Sequence, residues 1–148
     1  MTVDRTAVRL HRDGHGRDVA RASVACVFVD GKALVLLDSD GAELAREKSD
    51  LSGDRLRAAF TGQGWPWQEA DPHRDAYRRW VEGLPGLPAG TDALLRARQR
   101  AVDAHRRDDA RDLRRELARI GVVVRDEDKR QYWRLVRPLH REETGNGR

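Results

Sequence analysis

Apolar positions in the first fifty residues come in short runs separated by aspartate–glycine pairs. Ala7-Val8-Arg9-Leu10-His11 alternates, and Arg17 to Ala20 reads as a weak strand. Val24 to Val29 and Leu34 to Leu37 are continuously apolar, and Glu43-Leu44-Ala45-Arg46 alternates again. Asp13-Gly14, Asp30-Gly31 and Asp40-Gly41 suit tight turns, because both residue types tolerate positive φ. The pattern predicts an antiparallel meander of about five strands. The run from Val24 to Leu37 has apolar residues on both faces, so a further layer must cover it. A helix follows with Ser52 as its cap, Leu56, Ala59 and Phe60 on its apolar side, and Gly62 and Gly64 as its stop.

The period changes in the second half. Asp71-Pro72 signals a helix start. Ala76, Tyr77, Trp80 and Val81 predict one side of a short helix ending near Gly83, and Leu84-Pro85-Gly86-Leu87-Pro88 cannot continue it. Trp65, Trp67 and Trp80 make this stretch an aromatic joint, where large rings would wedge the two halves together. Thr91 then caps a helix to about Arg106, with Leu94, Leu95, Ala101 and Val102 inward. A second helix is capped by Asp109, carries Ala110, Leu113, Leu117 and Ile120 on one stripe, and ends at Gly121. Val122 to Val124, a polar turn from Asp126 to Lys129, and a return strand with Tyr132, Trp133, Leu135 and Val136 complete a β-hairpin. The expected division is a β domain with a capping helix over 1–64, the helical joint over 65–90, a helical hairpin plus β-hairpin over 91–136, and a polar tail over 137–148. The fold class is α+β.

Charge changes this picture more than composition does. The 148 residues hold 29 Lys and Arg against 25 Asp and Glu, a net charge of +4, which fits an anionic partner and equally an arginine-rich coding bias. Between Arg96 and Arg115 stand eight arginines against four aspartates. They read either as a solvated face with Arg–Asp pairs or as a surface that tracks phosphates. Cys26 is the single cysteine, so internal disulfides and cysteine metal clusters are excluded, and its apolar neighbours mark it as a small core residue. No run approaches the ~20 apolar residues of a membrane helix, which leads to the expectation of a soluble, cytoplasmic chain. No Gly-rich phosphate loop, His-Glu-x-x-His or Gly-x-Ser-x-Gly motif is present. His11, Asp13 and His15 cluster at a turn that hairpin geometry already explains without a metal. Asp126, Glu127 and Asp128 read as turn residues rather than an acid–base pair.

Leu94, Arg98 and Ala101 in the first helix, then Ala110, Leu113, Arg114, Glu116, Leu117, Gly121, Asp126, Trp133 and Arg134, resemble the small C-terminal domain of cysteinyl-tRNA synthetases. Arg111 stands where that family has an acid, and Arg130 where it has a turn glycine. The strands and single helix before it resemble a small pleckstrin-homology (PH)-like fold. With Val27 to Lys32 and Leu84 to Pro88, the whole order is similar to the soluble part of bacterial YqeB-type proteins, whose members usually carry membrane-spanning helices upstream. The resemblance implies a non-catalytic RNA-binding module, with tRNA or another RNA as partner. Its candidate contacts are Arg96, Arg98, Arg100, Arg111, Arg114, Arg115, Trp133 and Arg134. It implies no catalytic residue, metal or cofactor. The competing reading is a protein-interaction or scaffold module on the cytoplasmic face of a membrane, and the oligomeric state is open.

Overall fold

The computed structural model describes residues 1–12 and 15–136, in two compact units divided after Arg74. The Asp13-Gly14 turn and the metal reading built around it lie outside the described residues, as does the tail over 137–148.

The first unit holds two three-stranded antiparallel sheets. One is β1 (Thr2–Val3), β2 (Ala7–Arg12) and β3 (His15–Ala20); the other is β4 (Cys26–Asp30), β5 (Ala33–Leu37) and β6 (Glu43–Lys48). Each strand expected from the pattern is present. They do not form one meander, because a 3-10 turn at Arg21–Ser23 separates β3 from β4. Gly31 and Gly41 take φ of 62° and 87°, the left-handed backbone their Asp-Gly turns require. Helix α1 (Gly53–Thr61) starts where Ser52 accepts a hydrogen bond from the Arg55 amide at 3.2 Å. Its Leu56 and Phe60 join Val8, Leu10, Val27, Leu34 and Leu36 in the main apolar cluster. Cys26, Phe28, Val35 and Leu37 project to the other side of β4 and β5 and form a separate buried cluster, so both faces are covered as the continuous apolar runs demanded.

The second unit packs α2 (Thr91–Asp103) and α3 (Arg107–Arg119) against a three-stranded sheet in the order β7-β9-β8. Strands β8 (Val122–Glu127) and β9 (Arg130–Leu135) are the expected hairpin. Gly121 ends the second helix region at φ 82°. The helix expected from Asp71 to Gly83 is not formed. Asp71 instead caps a local turn, accepting from the His73 amide at 2.7 Å, and Arg74–Ala76 makes one 3-10 turn. Arg78–Arg79 then becomes β7, paired with Trp133 and Tyr132, and the Trp80 amide donates to the Gln131 carbonyl at 2.9 Å. The physical reason is the open edge of β9, which offers backbone partners that a single isolated helical turn lacks.

The tryptophans expected in the joint also separate. Trp65 and Trp67 pack on Phe60 in the first unit, with centroids 5.3 and 6.1 Å away, and the Trp65 indole donates to the Asp4 carbonyl. Trp80 packs on the core of the second unit, and its indole donates to Asp92 at 2.9 Å.

Candidate nucleic-acid interface

Alternation along β8 and β9 sorts their side chains onto two faces. Val122, Val124, Asp126, Gln131 and Trp133 point toward the helices, where Leu95 and Leu117 complete a small apolar cluster. That cluster is pinned by charge. Arg98, with its side chain 3% exposed, meets Asp126 with both guanidinium ends, at 2.7 and 2.9 Å. Its first terminal nitrogen also donates to Gln131 at 2.9 Å, and its Nε donates to the Ala110 carbonyl at 3.2 Å. Gln131 in turn donates to the Leu95 carbonyl at 2.7 Å. Arg114 donates to the Val124 carbonyl and lies 3.7 Å from Asp126. A buried cation must have such partners, or its desolvation would unfold the unit.

Trp133 is 8% exposed, held against the Leu95, Leu117 and Val124 cluster. Arg78 lies over its ring at 6.0 Å, and Gly86 approaches its far edge so closely that an added Cβ would stand 3.6 Å away. The ring is therefore closed to a stacking base. Arg134 is 2% exposed and sits 5.5 Å above Tyr77.

The remaining candidates lie outside. Arg96 is exposed but donates from Nε to Glu82 at 2.9 Å, a bond that raises its pKa further. Arg111 is partly buried and pairs with Asp108 at 3.0 Å. Arg100 and Arg115 are exposed and make no ion pair among the described residues. Arg107 is likewise exposed and unpaired. With Arg111 and Arg115 it follows i, i+4 spacing, so the three share one flank of α3.

Residues 1–68 match the family model for the YqeB-like bacterial PH domain, and residues 84–134 match that for the cysteinyl-tRNA ligase anticodon binding domain. The curated "Uncharacterized protein YqeB" of Bacillus subtilis (strain 168) is 45% identical over 112 residues, which is 75% of this chain and 47% of that relative. A YqeB-like PH domain is thus followed by a domain similar to the anticodon binding domain. The chain spans about half the length of the curated YqeB it matches. No solved structure matches it. The matched models are a PH-like and an anticodon-binding-like domain, both non-catalytic kinds, and no described helix is long and apolar enough to cross a membrane.

The candidates read from the sequence therefore divide. Arg98, Arg134 and Trp133 are interior, Arg114 braces β8, Arg96 and Arg111 are paired, and Arg100 and Arg115 are available. Sequence reading missed Arg107, although its spacing to Arg111 and Arg115 was visible. It also missed Asp126, whose role depends on Arg98, 28 residues away.

Proposed function

We propose that the C-terminal unit is a non-catalytic RNA-contacting module, with a tRNA as the first candidate. The observation that carries this reading is the exposed, unpaired set Arg100, Arg107 and Arg115 on a domain that matches the cysteinyl-tRNA ligase anticodon binding model. Unpaired guanidinium groups on a rigid helix pair release counterions when they meet phosphates, and little of their charge is already spent on acids. Arg98 and Trp133 supply the scaffold rather than the contact. Titration of bulk tRNA with the full chain at 50 and 200 mM salt tests the reading. Binding at low salt that weakens steeply at the higher concentration supports it. No binding at low salt, or binding indifferent to salt, overturns it.

A second reading, a protein-interaction module, draws on the first unit. Strand β3 is the outer strand of its sheet, and such an edge accepts an extended peptide by backbone pairing. Partners captured from nuclease-treated lysate and lost when β3 carries a proline at Asp18 would favour it.

A further inference from the structure

The sheet of the second unit has a face that the helices do not use. In cross-strand register, Arg79 of β7, Tyr132 of β9 and Arg125 of β8 stand side by side on it, because Arg79 and Arg125 both pair with Tyr132. Directly opposed side chains in antiparallel strands lie about 5 Å apart at Cβ, so two arginine stems flank Tyr132, with the Arg125 guanidinium turned to Tyr77 at 5.7 Å and to Glu127 at 2.8 Å. Arg130 lies two residues along β9 from Tyr132, hence on the same face.

The face is closed at one end and open at the other. Val123 and Arg134 are 3% and 2% exposed, and Tyr77 lies between Arg125 and Arg134 at 5.7 and 5.5 Å. At the other end Tyr132 is partly buried and Arg79 and Arg130 are exposed with no ion pair among the described residues, while Glu127, opposite Arg130 in register, pairs with Arg125 at 2.8 Å. An accessible ring with free cations beside it is the arrangement that Trp133 was expected to provide and does not.

We infer that the open half of this face takes an unpaired nucleotide of a single-stranded RNA, with the base on Tyr132 and the adjoining phosphates at Arg79 and Arg130. A base in a duplex presents its edges, not its π-face, so a flat strand surface with one partly exposed ring selects single strands. Strand β8 is the edge of the sheet beside α3, whose Arg114 donates to the Val124 carbonyl of that strand. The inference rests on the RNA-contacting reading above and assigns it a second surface.

The test uses the full chain and a fluorescein-labelled 12-nucleotide oligouridine, with a 12-base-pair RNA duplex as comparison, read by anisotropy. Tyr132→Thr keeps a strand-forming residue and removes the ring; it should weaken oligouridine binding roughly 5- to 150-fold. Tyr132→Trp should retain or tighten binding, which a merely structural tyrosine would not predict. Arg79→Ala and Arg130→Ala should each lower the salt slope by about 0.7. An unchanged affinity in Tyr132→Thr while the parent chain binds, or equal affinity for the duplex, overturns this surface and leaves the RNA reading standing. A parent chain that binds neither RNA overturns both.

Discussion

The two units spend their interiors differently. In the first, Val8, Val27, Leu36, Leu56, Phe60 and Trp65 supply a continuous apolar core, and its most enclosed ion pair, Arg46 with Glu43 at 2.7 Å, stands outside that cluster. In the second, Thr91, Arg98, Gln131 and Arg134 are buried beside a smaller apolar cluster. A short helical hairpin over three strands cannot bury much apolar surface by itself. It gains definition instead from Asp126 and Gln131, which meet Arg98 only when the hairpin is in register; a slip by one residue would turn both to the opposite face. The contrast teaches that an arginine-rich sequence is not an arginine-rich surface, and that the interior arginines must be subtracted before the rest are counted as contacts.

The comparison can be broken by substitution, starting with the largest effect. Phe60→Ala should cost about 4 kcal/mol and act on the first unit only, because it opens a cavity against Trp65 and Trp67. Hydrogen exchange resolved by residue is the check, with protection lost in β4, β5 and α1 and kept in β8 and β9. Asp126→Ala should cost about 3 kcal/mol and reverse that pattern, since it strands the Arg98 charge inside the second unit. Replacing both partners, Arg98→Met with Asp126→Leu, should recover most of that loss in urea unfolding, because no uncompensated charge remains. If the double variant is as unstable as the single, the pair is not an isolated electrostatic pin.

A smaller effect of opposite sign is expected at the β8–β9 turn. Asp128 and Lys129 hold φ of 52° and 64°, a two-residue turn that suits Asn-Gly far better. Asp128→Asn with Lys129→Gly should raise stability by about 1 kcal/mol, measured by thermal unfolding. The smallest effect sits in the first unit. Burial, and then the Asp71 charge, push the Cys26 thiol up to about 11, so it stays protonated in the folded chain at neutral pH. A thiol reagent at pH 8 should therefore label Cys26 only at the rate at which the first unit opens. Reaction as fast as with a free thiol would place Cys26 at the surface.

Much of the fold was legible because its signals are local. The alternation around Ala7 to His11, the apolar runs on β4 and β5, and the spacing of Ala110, Leu113 and Leu117 on α3 each declare themselves within a dozen residues, although Ile120, expected on the same stripe, lies past the helix end and is exposed. β7 did not, since Arg78-Arg79 has no strand pattern and is recruited by an edge more than fifty residues ahead in the chain. The candidate surface was legible as charge but not as geometry. Arg98 and Arg100 look alike in sequence, and two positions along α2 place one against Asp126 and the other in solvent.

The most direct measurement is the salt dependence of tRNA binding by two variants of the full chain. Arg100→Ala with Arg107→Ala and Arg115→Ala should reduce the slope of log K against log salt by about 2 to 3, roughly 0.9 for each phosphate contact removed. Arg98→Met with Asp126→Leu, which deletes an arginine that faces inward, should leave the parent slope unchanged. A triple variant with the parent's slope, or an interior variant that loses as much as the triple, would contradict the account.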